Sequence, residues 1–148
     1  MRNALFYGSG VALVTAFSGG KMDLRAFENL IDWQIEMMTD AIIILGTTGE
    51  PSTITAPERA ALVECAVSTV SGRVPLLVGA GSNNTRTAVE YAVEAQALGA
   101  DGLLVVTPYY NKANRAGLIE HFHAVADSVE IPIIAYNVPS RTGMNMPP

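Results

Sequence analysis

Ala41-Ile42-Ile43-Ile44-Leu45 is an apolar run without one polar position. A strand with one face in water would alternate, so this run reads as a strand covered on both faces, the condition found inside a parallel sheet. It stops at Gly46-Thr47-Thr48-Gly49-Glu50, where two glycines and two threonines make a tight turn. Such a turn offers backbone N–H groups and two hydroxyls to an anion. In parallel α/β folds the carboxyl edge of the sheet is where ligands bind.

Two later strand exits carry comparable chemistry. Gly102-Leu103-Leu104-Val105-Val106 ends in Thr107-Pro108-Tyr109-Tyr110-Asn111, and Ile131-Pro132-Ile133-Ile134-Ala135 ends in Tyr136-Asn137-Val138-Pro139-Ser140-Arg141-Thr142-Gly143. Each alone could be an ordinary turn; three at equivalent positions gather hydroxyls, tyrosines and an arginine on one edge. Strand candidates begin near Val11, Ala41, Pro75, Asp101 and Ile131, a spacing of about thirty residues, which is one strand-loop-helix unit.

Amphipathic helices are predicted between the strands. From Asp23, a candidate N-cap, the positions Leu24, Phe27, Ile31, Ile35 and Met38 recur at helical spacing. Thr55-Ala56-Pro57-Glu58 opens a second helix with a capping-box pattern. Asn84 or Thr85 caps a third that buries Ala88, Ala92, Ala95 and Tyr91, with Gly99 as its stop. A fourth is predicted from about residue 116 to 129, with Leu118, Phe122 and Val125 on one face. Strictly alternating strands and helices indicate a parallel sheet, either open or closed into a barrel. Thr15-Ala16-Phe17-Ser18-Gly19-Gly20 lacks the glycine spacing of a dinucleotide site, and a barrel mouth collects motifs after strands two, four and five better than an open sheet does.

At 148 residues the chain is in the range of one domain, and 49% hydrophobic residues with 16% charged suit a sheet covered on both faces. A net charge of −5 without a basic cluster argues against nucleic-acid binding, so small-molecule ligands are expected. No stretch approaches the ~18 apolar residues of a membrane span, and a cytoplasmic location is expected. Cys65, the single cysteine, falls among Ala61, Leu62, Val63 and Ala66 and reads as a buried apolar side chain. His121 and His123, two residues apart on a helix, point to roughly opposite sides; they read as surface or interface residues, not metal ligands.

The three exit motifs, in this order and spacing, resemble the dihydrodipicolinate synthase family, over the chain from Ala12-Leu13-Val14-Thr15 to Met146. The resemblance implies a TIM (β/α)8 barrel, of which residues 1–148 supply the first half, about five parallel strands and four helices, with the remainder absent. It also implies a lyase that condenses pyruvate with L-aspartate 4-semialdehyde on the route to lysine and diaminopimelate. Carried over residue by residue, Thr47 relays a proton, Thr48 binds the pyruvate carboxylate, and Tyr136 is the general acid/base. Tyr110 matches the tyrosine that in this family reaches into a neighbouring subunit's site, which implies a homodimer or homotetramer. Arg141 holds the carboxylate of the aldehyde substrate, a task suited to its fork. Read without the resemblance, Tyr136 and Tyr110 could be rim residues whose hydroxyls reach water, and Arg141 could pair with Glu50.

The family's nucleophile is a lysine on the sixth strand that forms an imine with pyruvate; at the observed spacing it falls beyond Pro148. Lys21 and Lys112 are the lysines present, and both are placed in polar loops. No metal or cofactor is expected, because an imine supplies the electron sink. Asn83 and Tyr109 match positions of an allosteric lysine pocket, but Pro51, Ala56, Arg59 and Thr87 stand where lysine-sensitive relatives often have serine, histidine, histidine and glutamate. Losing the glutamate removes the counter-ion for a lysine ammonium. Ala16 stands where the family usually has proline. Two other readings remain at this point: another pyruvate-dependent aldolase acting on N-acetylneuraminate or keto-deoxy sugar acids, and a non-catalytic half-barrel module.

Overall fold

The computed structural model describes residues 4–147. In chain order its elements are β1 (Gly10–Ala12), the short strands β2 (Phe17–Ser18) and β3 (Lys21–Met22), α1 (Leu24–Glu36), β4 (Ala41–Ile44), α2 (Ala56–Val70) and β5 (Leu76–Gly79). Then come α3 (Thr85–Leu98), β6 (Gly102–Val106), α4 (Arg115–Ala126), β7 (Ile133–Tyr136) and a single-turn α5 (Pro139–Thr142). The main sheet runs β1-β4-β5-β6-β7, every pair parallel, and β2 pairs antiparallel with β3. Each strand lies beside the next in sequence with no reversal of order. A doubly wound sheet has a switch point where the order reverses; a barrel wall does not.

Register explains why the strands are apolar throughout. Ile42 stands opposite Leu76, Val78 opposite Leu103, and Leu103 opposite Ile133. These residues, with Ile44 and Val105, pack against Phe27 and Ile31 of α1, Leu62 and Ala66 of α2, Ala88 and Ala92 of α3, and Val125 of α4 in one core. Side chains on the alternate positions, Ile43, Leu104 and Val106, are only partly buried, and Ile134 is exposed. The helices therefore cover one face of the wall, as right-handed crossovers require, and the concave face stays open.

Helix starts follow the capping residues. Asp23 Oδ1 accepts from Ala26 N at 2.9 Å, Asn84 Oδ1 from Arg86 N at 3.0 Å, and Asn114 Oδ1 from Gly117 N at 2.8 Å. Of the two candidates for α3, Asn84 is thus the cap. At α2, Glu58 accepts from both the backbone N–H and the hydroxyl of Thr55, and these two bonds lower its carboxyl pKa. Gly99 closes α3 at φ 103°, a conformation open to glycine.

Several expectations need correction. The hairpin of β2 and β3 interrupts the strict alternation of strand and helix, and it puts Lys21 in a strand, though an exposed one. Met38 does not extend the apolar face of α1: the helix ends at Glu36, and Met38 sits at φ 64°, 85% exposed. The fourth helix is shorter than predicted, because Ser128 N turns back to Val125 O and ends it before Val129. His121 is not a surface residue but is 3% exposed, facing α3, where its Nδ1 is 3.0 Å from Thr85 Oγ1. His123 is exposed. Cys65 is buried as expected; burial and the nearby Glu28 push its thiol pKa up, away from nucleophilic use.

Candidate active site

Leu45, just past β4, takes the left-handed region at φ 54°, which turns the chain sharply into Gly46. Thr47–Gly49 then form one 3₁₀ turn, with Gly49 N donating to Gly46 O at 2.9 Å and Glu50 N to Thr47 O at 3.2 Å. The side chain of Thr15, just past β1, ties the turn to its neighbour by donating to Gly49 O at 2.8 Å. Thr47 and Thr48 remain exposed.

Glycines let the strand exits meet backbone to backbone. A Cβ added at Gly79 would lie 1.9 Å from Leu45 O, and one at Gly81 would lie 2.6 Å from Val106 N. No side chain fits at either position. The exits of β4, β5 and β6 are thereby locked into one rim.

Tyr136 completes that rim. It ends β7 opposite Val106, with its carbonyl accepting from Thr107 N at 3.2 Å, so its ring shares the concave face with Val106 and Leu104. Thr107 is fully buried, and its hydroxyl lacks a hydrogen-bond partner among the described residues. Arg141 is carried by α5, whose end Thr142 secures by donating to Val138 O at 3.2 Å. The following tail is held by Asn137, which bonds Asn145 Oδ1 at 2.8 Å and accepts from Met146 N at 3.1 Å.

A cavity of about 450 Å³ opens at the carboxyl ends of the strands, and Thr47, Tyr109, Tyr136 and Arg141 all line it. Glu50 also lines it, yet Arg141 and Glu50 do not pair; the ion pairs among the described residues are Arg59–Glu94 and Arg73–Asp32. An exposed guanidinium without a carboxylate partner can fix an anionic ligand at this cavity, and the two phenols and the threonine hydroxyl beside it are the groups that can pass protons.

Three predicted residues stand outside the cavity lining. Thr48 is on the same turn as Thr47 but is not among the residues lining the cavity, and Asn83 uses its carbonyl to accept from Asn111 Nδ2 at 3.2 Å. Tyr110 projects outward, 89% exposed at φ 68°. Neither Lys21 nor Lys112 lines the cavity, and both are exposed. Among the described residues no three His, Cys, Asp or Glu side chains gather as metal ligands would.

Arg59, which the resemblance marks only as a substituted pocket position, lines the cavity from the helix side. It is 4% exposed, donates from Nε to Glu94 at 3.2 Å and from Nη2 to Gly79 O at 2.9 Å, and stacks 4.0 Å from the Tyr91 ring centroid. Burial lowers its pKa, while Glu94 and Tyr91 oppose that shift. A signal for it existed in the sequence: Arg59, Leu62, Val63 and Ala66 fall on one helical face, so the arginine occupies a core position.

Five parallel strands in sequential order, helices outside them and a polar mouth at their carboxyl ends define the first half of a TIM-type barrel. Comparison with known proteins makes this specific. The Dihydrodipicolinate synthetase family profile matches residues 5–148. The 4-hydroxy-tetrahydrodipicolinate synthase of Alkaliphilus oremlandii is 58% identical over 144 residues, covering 97% of this chain and 50% of that protein. Among solved structures, the dihydrodipicolinate synthase of Thermotoga maritima superposes with a TM-score of 0.94 at 44% identity, over 96% of this chain and 48% of its own. The Acinetobacter baumannii enzyme, solved in complex with pyruvate, gives 0.90 at 44% identity, over 93% and 48%. This chain belongs to the dihydrodipicolinate synthase family. It spans about half the length of the curated relatives it matches.

Proposed function

We propose that this chain supplies the amino-terminal half of a lyase that condenses pyruvate with L-aspartate 4-semialdehyde, in lysine and diaminopimelate biosynthesis. The observation that carries the reading is the convergence of Thr47, Tyr136 and Arg141 on one cavity at the strand ends. In this reading Tyr136 acts as general acid/base, and Thr47 passes the proton onward. A phenol needs hydrogen-bonded partners of this kind to move protons at neutral pH. Thr48 binds the pyruvate carboxylate, and Arg141 binds that of the aldehyde.

The nucleophile in this account is a lysine outside the chain, which forms the imine with pyruvate; no separate cofactor is required. The outward projection of Tyr110 supports its use in a neighbouring subunit's site, within a homodimer or homotetramer in the cytoplasm. Asn83 and Tyr109 would border an effector pocket in which Thr87 supplies no counter-ion for an ammonium, so lysine is expected to inhibit weakly.

The test is to join the chain to the carboxy-terminal half of the Alkaliphilus oremlandii relative and measure turnover. Condensation of pyruvate with L-aspartate 4-semialdehyde is expected, without cleavage of N-acetylneuraminate or keto-deoxy sugar acids. Preference for a sugar acid would replace this reading with a different pyruvate aldolase. A folded, inactive assembly would favour a non-catalytic module. Arg141→Ala should raise KM for the semialdehyde about ten- to hundredfold, the effect of losing a charge-assisted hydrogen bond, and raise that for pyruvate less. Equal effects on both substrates would place Arg141 in structural support.

A further inference from the structure

Arg59 sits on α2, yet its polar contacts lead to the rim of the cavity. Its Nη2 donates to the carbonyl of Gly79, the last residue of β5, at 2.9 Å. Gly79 is the residue whose missing Cβ allows Leu45 O and Gly46 N to approach, since a Cβ there would lie 1.9 Å and 2.9 Å from them. Gly46 in turn starts the turn that carries Thr47, with Gly46 O accepting from Gly49 N. The contacts therefore run from Arg59 through Gly79 and Leu45 to the threonines. On its other side the guanidinium is fixed by Glu94 and by the ring of Tyr91, both on α3.

The guanidinium meets three demands at once. It donates in two directions within one plane and stacks its face on a ring, which a lysine ammonium cannot do. It is also buried, and a buried cation is retained at a desolvation cost that its single carboxylate partner, 36% exposed, offsets incompletely. An apolar residue of similar volume would serve helix packing as well. The arginine is explained by what it holds.

We propose that Arg59 is a positioning residue that fixes the exit of β5 against the Thr47-Thr48 turn, and so sets the placement of the threonine hydroxyls at the cavity. It acts through Gly79 and touches no reacting atom. The kinetic part of the test rests on the condensation reading given above; the exchange part does not.

The experiment is amide hydrogen exchange on the chain itself with Arg59→Met, which keeps the volume, and Arg59→Lys, which keeps the charge. Both variants should speed exchange at the amides of Gly49 and Glu50 by about tenfold, the effect of losing one hydrogen bond to a charged group, with α1 unchanged. In the joined protein both should lower kcat by about tenfold, since small displacements of catalytic groups are felt strongly, and Lys should not rescue Met. Unchanged exchange at Gly49 and Glu50 would overturn the proposal. So would equal loosening of α1, or failure of both variants to fold, each of which assigns Arg59 to general stability. If the joined protein shows no condensation at all, the functional reading fails while the exchange result still decides the role of Arg59.

Discussion

Gly79 and His121 show how single residues set the limits of this fold. Any side chain at Gly79 drives into the Leu45 carbonyl, so Gly79→Ala is expected to cost about 3 kcal/mol, the upper end of overpacking penalties. Urea unfolding would read this, and a loss under about 0.5 kcal/mol would mean that the β4 and β5 exits are free to separate. His121 is held below the usual imidazole range by burial, and its Nε2 has no partner among the described residues. The unfolded chain therefore takes up this proton first as pH falls through about 6.5. Stability should be full above that pH, decline below it, and level off under the folded-state pKa. Comparing wild type with His121→Gln in urea at about pH 5.5 and 7.5 tests this; equal pH slopes for the two proteins would contradict it. The burial of His121 was open to view, because Leu118, His121 and Val125 share a helical face. The same period that sets the two histidines on different sides of α4 places His121, and not His123, with the core residues.

At the scale of elements, the parallel strands and four main helices were legible because each carries its own punctuation. Apolar runs without alternation mark the strands, although the concave face they were expected to bury is only partly covered in this chain, and Asp23, Asn84 and Asn114 each bond an orphan amide of the helix they open. Asn114→Ala should destabilise by about 1 kcal/mol in thermal or chemical unfolding, and no change would show that α4 is held by packing alone. The exclusion of Met38 from α1 has a physical reason. The helical period continues through it on paper, but the chain leaves α1 through a left-handed residue that no glycine announces. Met38→Gly is accordingly expected to stabilise by up to about 1 kcal/mol, since the side chain is exposed and its conformation is strained. Destabilisation would mean that the Met38 side chain makes contacts that outweigh the strain. The β2–β3 hairpin leaves no period to detect, with two residues per strand, and its signal lies in the loop instead, where Gly19 and Gly20 take φ 58° and 75°.

For the whole molecule, the order β1-β4-β5-β6-β7 joins motifs far apart in sequence into one rim, and this was legible because three exits repeat at one spacing. The role of Arg59 was not, since it depends on where a helix side chain ends rather than on where it starts. The open concave face and the exposed residues of β7 leave the cavity walled on one side by this chain alone. Lys21 and Lys112 lie outside that cavity, so borohydride treatment of the chain with pyruvate should give no adduct on either; a stoichiometric adduct would show that an exposed lysine suffices. Proton transfer on a bound keto acid is the activity proposed for this rim, and Tyr136 is its most direct probe. In the chain joined to the carboxy-terminal half of the Alkaliphilus oremlandii relative, Tyr136→Phe is predicted to lower kcat for condensation by about 10²- to 10⁴-fold with the fold intact. Turnover within about twofold of the parent protein, with both substrates saturating, would contradict it.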